Sequence, residues 1–221
     1  GTPMSPAAAP ESSQSLVPPV SRPGIYAAFD YVGLDPHHYG LNGSLVVWNW
    51  SDIEVQEDVY DWSLVDEWLA LQAGLGKGSI IAISTYNGRA ARDGFGIIAL
   101  PEYLRNNPNA VWTSYLDHKI PRYWRDEYLQ PYQRFINELG NRYKDDPRVE
   151  AVAIGTGMYG EIAAWKKLTD GKAADELGDE ISVWIWIETV KTITDYYVEA
   201  FSDGQGQLKK VLFNQTAPYT Y

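Results

Sequence analysis

Short apolar runs alternate along this chain with longer amphipathic stretches, and that alternation constrains the fold more than any other feature. Residues 25–30, 45–50, 79–86, 149–154 and 210–214 are the apolar runs. Each is too short for a typical helix, and their largely continuous apolar character fits strands buried on both faces. Trp124, Tyr128, Tyr132, Phe135, Leu139 and Tyr143 recur at spacings of four, four, three, four and four. That is one apolar face of a helix about five turns long. A second helix is expected over residues 181–201. A shorter one starts at Ser63, where Ser63 and Asp66 resemble a capping box and Gly74 and Gly76 supply the stop. Residues 145–147 read as a turn. Residues 88–120, with Pro101 and Pro108, form a long irregular connection of the kind that carries function or short helices. The resulting order is strand, strand, helix, strand, helix, strand, helix, strand. It implies a parallel α/β sheet with helices outside. Barrels and doubly wound sheets share this order. The chain has no Walker-type loop, which weighs against a P-loop nucleotide-binding open sheet.

At 221 residues the chain is long enough for one sizeable core. A formal charge of −11 disfavours nucleic acid and anionic membranes, which attract basic surfaces. No run reaches the roughly 18 apolar residues of a membrane span, so no membrane insertion is expected. Without cysteine there are neither disulfides nor thiolate metal sites. Nine Trp and sixteen Tyr stand against five Phe, a balance that suits sugar stacking, although core packing accounts for such residues equally well. Residues 1–23, rich in Ala, Pro and Ser, read as a disordered leader or linker, with the folded part over 24–221. The leader resembles the stretch after a removed signal peptide in exported bacterial proteins, so a secreted or cell-surface location is expected.

In a parallel barrel the site is built at the carboxyl ends of the strands. Those ends supply Asp30, then Trp48, Asn49 and Trp50, then Tyr86 and Asn87, then Tyr159 and Glu161, then Asn214. This inventory of carboxylates, amides and aromatic faces fits a neutral polyhydroxyl substrate and calls for neither metal nor cofactor. Glu161 stands out. It follows Ile154-Gly-Thr-Gly-Met-Tyr-Gly160, a glycine-rich strand exit that lets a carboxyl approach a ligand closely. A carboxyl beside aromatic faces loses hydration, which suits proton donation; a structural ion pair or a helix-start charge would also explain a Glu here. Trp165, in the following loop, is either a sugar platform or packing for that loop. Glu54 reads as structural, and Glu57 and Asp58 as a solvated turn. Asp35 with His37 and His38 could suggest metal, but adjacent histidines point apart in an extended chain. Glycosylation sequons begin at Asn42, Asn49 and Asn214, short patterns that arise readily by chance.

Two segments carry a resemblance. Trp50-Ser-Asp-Ile-Glu54, continuing through Tyr60-Asp-Trp62 to Asp66, resembles the segment after the second strand of retaining (β/α)8-barrel glycoside hydrolases of the β-galactosidase type. Arg142-Tyr-Lys-Asp-Asp-Pro147, then a strand, then Gly160-Glu161, resembles their approach to the acid/base glutamate on strand four. The resemblance runs over about residues 25–215 and implies a TIM barrel, of which this chain supplies roughly the first five strands. It implies that Glu161 is the acid/base; of the strand-end residues, Trp48, Trp50 and Tyr86 are expected to stack sugars, and Asn49, Asn87 and Asn214 to hold hydroxyls. Asp30, Tyr159 and Trp165 complete the expected substrate contacts of an oligosaccharide or glycoside. In place of the Asn that those enzymes set before the acid/base to reach the sugar 2-hydroxyl, this chain has Gly160. Their nucleophile lies near the end of strand seven, so it is expected from outside this chain, with a second polypeptide completing the barrel. The alternative expectation is a noncatalytic carbohydrate-binding or cell-surface structural subunit on a degenerate barrel.

Overall fold

The computed structural model describes residues 24–28, 40–86, 99–113, 119–164, 176–177 and 180–215. In chain order its elements begin with β1 (Ile25–Ala28), β2 (Leu41–Asn49), the single-turn helix α1 (Trp50–Ile53) and a hairpin of β3 (Glu54–Gln56) and β4 (Val59–Tyr60). Next come α2 (Ser63–Gly74), β5 (Gly78–Ser84), α3 (Glu102–Arg105) and a second hairpin of β6 (Val111–Thr113) and β7 (Lys119–Pro121). The chain continues through α4 (Asp126–Tyr143), β8 (Val149–Ile154), α5 (Val183–Ala200) and β9 (Val211–Asn214). Strands β1, β2, β5, β8 and β9 are neighbours in that order, and every pairing is parallel. The sheet curls into half of a barrel. The expected α/β partial barrel is therefore the fold.

Strand register assigns the two faces. Val46 pairs with Ile81, Ile81 with Val152, and Val152 with Leu212. Side chains in register on parallel strands share a face, and alternate residues along a strand do too. Val46, Ile81, Ile83, Val152 and Ile154 thus form one buried face, packed in the same cluster as Val65 and Leu69 of α2, Tyr132 and Phe135 of α4, and Ile193 and Tyr197 of α5. The opposite, inner face carries Leu45, Val47, Ile80, Ala82, Ala151, Ala153, Val211 and Phe213. Leu45, Val47, Ile80, Val211 and Phe213 remain half-exposed there. At its amino end this face is crossed by Tyr26, whose hydroxyl donates to a Glu150 carboxylate oxygen. Gly43 and Gly78 make room: a Cβ at Gly43 would stand 2.7 Å from the Tyr26 ring, and one at Gly78 would collide with the Glu150 carboxyl.

Most of the aromatic surplus is spent between helices and sheet. Trp50 is fully buried, with ring centroids of Tyr132 at 5.1 Å, Phe135 at 5.3 Å and Tyr128 at 6.0 Å. Trp62 stacks on Phe135 at 6.2 Å and on Tyr60 at 5.8 Å. Glu54, only 1% exposed, accepts from Trp50 Nε1 at 2.5 Å, the Asp58 amide at 2.9 Å and the Tyr103 hydroxyl at 3.0 Å. Burial raises its carboxyl above the usual range, against the pull of those three donors. Its structural role is clear. Glu57 and Asp58 are exposed as expected, and Arg134 of α4 holds them at 3.2 and 3.0 Å.

Helix α2 starts where expected, but not by the expected cap. The Asp61 carboxylate accepts from the Ser63 amide at 2.9 Å, while Asp66 turns outward to accept from Arg142 and, at 3.0 Å, from the Tyr143 hydroxyl. The short Asp66 side chain meets strong donors from α4 and does not fold back on the helix start. Its end is as read: Gly76 has φ +70°, a left-handed stop.

Helices α4 and α5 touch backbone to backbone at Gly140. A Cβ there would lie 2.8 Å from the Ala200 Cβ and 2.7 Å from its carbonyl carbon. Gly140→Leu should destabilise the protein by about 1–3 kcal/mol or more in urea unfolding, because the helices must separate to admit it.

Asp146 anchors the turn before β8. Its carboxylate accepts from Arg148 Nε at 3.0 Å, Nη2 at 2.6 Å and the Arg148 amide at 2.9 Å. The Arg148 side-chain hydrogen bond, opposed by burial, holds the carboxyl below its usual range. A depressed folded-state value stabilises above the ordinary carboxylate range and is lost as pH falls through the depressed value. Asp146→Asn should cost about 0.5–1 kcal/mol at neutral pH, and the difference from the parent should shrink as pH falls below the ordinary carboxylate range in urea titrations.

Candidate active site

The carboxyl ends of β2, β5, β8 and β9 define one rim, and Glu161 stands on it. Strand β8 ends at Ile154, and the chain then makes a compact detour before pairing again at Glu161, which bridges in parallel to Gln215 just past β9. The detour is fixed at almost every residue. Tyr132 of α4 donates its hydroxyl to the Gly155 carbonyl at 2.7 Å and meets the Tyr197 hydroxyl at 3.0 Å. Thr156, fully buried, donates to Asn214 Oδ1 at 3.2 Å. The Met158 amide reaches the Ala163 carbonyl at 2.8 Å, the Glu161 amide reaches the Met158 carbonyl at 3.1 Å, and the Ile162 amide reaches the Gln215 carbonyl at 3.0 Å. Tyr159 and Gly160 both take left-handed backbones, at φ +59° and +78°. For Tyr159 that conformation costs energy which the surrounding bonds sustain. A side chain on Gly160 would bring its Cβ within 3.0 Å of the Ile83 carbonyl oxygen. Glycine therefore serves close packing here, and no side chain projects beside Glu161 from that position. The Glu161 side chain is half-buried.

Strand alternation separates residues that the sequence placed together. Asn49 pairs with Ser84 and lies on the inner face. Trp48 pairs with Ile83 and lies on the helix side, packed against the core. It is thus no sugar platform inside the barrel. Trp50 is a second correction: β2 ends at Asn49, the helical turn α1 swings the next residue outward, and its indole is buried under α4. A third is Tyr86, fully buried and met edge-on by Tyr159 at 5.2 Å, so its ring face is not on offer. Tyr159 itself is half-buried at the rim. Asn214 is exposed at the end of β9. Asn42 accepts from the Ile25 amide at 3.0 Å. Asp30, Asn87 and Trp165, and the Asp35, His37 and His38 group, lie outside the described residues, as does the leader.

One rim carboxyl escaped the sequence reading. Asp52 Oδ2 accepts from Asn49 Nδ2 at 3.0 Å, and burial raises its carboxyl above the usual range despite that bond. The i, i+3 spacing of Asn49 and Asp52 across a strand-to-helix turn was the available signal. By taking an amide hydrogen, Asp52 fixes which way the Asn49 amide faces. Among the described residues, the polar groups at these strand ends thus include Glu161, Tyr159, Asn49, Asp52, Thr156 and Asn214.

Fold and rim together define a partial parallel barrel with a polar carboxyl edge. No family model and no curated protein matches the sequence. Among solved structures the chain is similar to a β-galactosidase from the psychrophilic Marinomonas ef1, with TM-score 0.58 and 13% identity, covering 86% of this chain and 37% of that one. It is also similar to the catalytic domain of a β-amylase from Paenibacillus polymyxa, with TM-score 0.51 and 12% identity over 62% of this chain and 38% of that one. At such identities the likeness is one of fold. The chain spans less than two-fifths of the length of either.

Proposed function

We propose that this chain is the glutamate-bearing part of a glycoside hydrolase that works by a two-carboxylate, retaining mechanism. The observation that supports this best is the clamped loop that presents Glu161 at the carboxyl rim. Glu161 protonates the glycosidic oxygen as the bond to the anomeric carbon breaks. A second carboxylate, supplied from beyond this stretch of chain and standing about 5–5.5 Å from the Glu161 carboxyl, attacks that carbon. In the second half Glu161 takes a proton from water, which displaces the enzyme from the sugar. Asn49, oriented by Asp52, and Asn214 hold hydroxyls. The remaining strands of the barrel, on the same or a second polypeptide, close the half-exposed inner face, and the assembly acts outside the cell.

The test is hydrolysis of a panel of aryl glycosides by the protein as it is naturally made, with the first-formed anomer followed by NMR. Retention supports the reading; clean inversion would remove the covalent step. Gly160 favours a second reading, a noncatalytic carbohydrate-binding or cell-surface subunit, because no side chain beside Glu161 reaches towards a sugar 2-hydroxyl. Binding of glycosides without turnover anywhere in the panel would select it.

A further inference from the structure

The excursion between β5 and α4 builds a basic cleft in an otherwise acidic protein. A cavity of about 400 Å³ is lined by Arg105, Lys119, Arg122, Asn106, Asn107 and Trp112 among others, and among the described residues its lining includes no Asp or Glu. The size falls within the roughly 300–1,000 Å³ of small-molecule clefts. Three cations converging on one hollow are notable in a chain of net charge −11. Their geometry is braced. Glu180 binds both Arg122 and Arg125, the latter at 3.2 Å. Burial opposes ionisation of the Glu180 carboxyl, but the two guanidinium hydrogen bonds prevail and hold it below the usual range. One carboxylate shared by two guanidiniums leaves positive charge in excess. Lys119 Nζ donates at 3.1 Å to the Thr113 hydroxyl, a neutral partner.

The segment that carries the cleft is anchored at the carboxyl end of the sheet, the end at which Glu161 stands. It is tied to the rim by the Ser51 amide on the Ala99 carbonyl at 3.0 Å, just past β2. Tyr123 adds a contact at 3.4 Å to Thr85, just past β5. Glu180, which orients Arg122, lies in the connection that follows Glu161.

We infer that this cleft is a subsite for the anionic groups of an acidic saccharide, so that the polymer recognised at the rim bears carboxylates or sulfate esters. Guanidiniums and an ammonium bind either anion by charge-assisted hydrogen bonds, while the two Asn amides suit sugar hydroxyls. This rests on the proposed glycoside hydrolase reading for its saccharide, but its test does not depend on turnover.

Binding is measured by calorimetry on the Glu161→Gln form of the naturally made protein, with a polyuronate hexasaccharide, a sulfated hexasaccharide and a neutral one of equal length. An acidic ligand is expected to bind at least about tenfold more tightly than the neutral one, with affinity falling as salt rises. Lys119→Met and Arg105→Met should each weaken the acidic ligand about tenfold or more, the worth of a charge-assisted contact, and leave the neutral one unchanged. The uronate and sulfate arms decide which anion is preferred. Equal affinity for acidic and neutral ligands, or a Lys119→Met protein of native circular dichroism that keeps the acidic preference, overturns the inference. Acidic preference in a protein that hydrolyses nothing would retain this subsite and discard the hydrolase; hydrolysis of neutral glycosides without acidic preference would do the reverse.

Discussion

Glu161→Gln is expected to lower turnover of glycosides with poor leaving groups by about 10²–10⁴, the usual contribution of a positioned acid/base. The amide keeps the shape and the half-buried setting of the side chain but can neither deliver nor accept the proton. The loop that presents it is held by main-chain bonds, by the Tyr132 hydroxyl on the Gly155 carbonyl and by Thr156 on the Asn214 side chain; the substitution leaves these in place, so folding should be unchanged. Substrates that depart as stable phenolates need little protonation and should lose less in the first step. Rates are to be compared across a series of aryl leaving groups. Equal turnover by parent and variant across the series would take Glu161 out of the chemistry.

Trp50→Ala should be the most damaging single change in the core, with a loss of about 3–5 kcal/mol for the ring alone. The indole fills the space between Tyr128, Tyr132 and Phe135, and its N–H is one of three donors to the buried Glu54 carboxylate. Its loss leaves a cavity and a carboxylate short of a partner, and the second effect adds to the first. Trp50→Phe separates them, since it retains much of the packing and drops only the donor. Urea unfolding of both variants provides the comparison. Were Trp50 a sugar platform, ligand affinity would fall at unchanged stability; the burial requires the opposite order.

Periodicity made the main architecture legible. Apolar runs marked all five strands of the sheet, and the three- and four-residue spacing of aromatics marked α4, because both signals come from faces that must be buried. The two hairpins escaped. Strands β3 and β4 have only three and two residues, with Asp58 at φ +58° in the turn. What supports them comes from far along the chain: Arg134 on the turn, and Tyr103 on Glu54. No local pattern announces such support. At the rim, Glu161 was legible because its glycine-rich approach is local. The error over Trp48 was avoidable, since period-two alternation already puts it opposite Asn49. Trp50 was not, because its direction depends on a single helical turn that starts one residue after the strand.

Tyr132 joins the helical shell to the rim. A phenol from the outer helical shell grips the peptide that begins the path to Glu161, so the acid's aim is set by how α4 and α5 sit against each other. On the proposed hydrolase reading, looseness introduced on the far side of the sheet would blur the geometry at Glu161 before it unravelled the domain, and warming should silence turnover while the strands still hold.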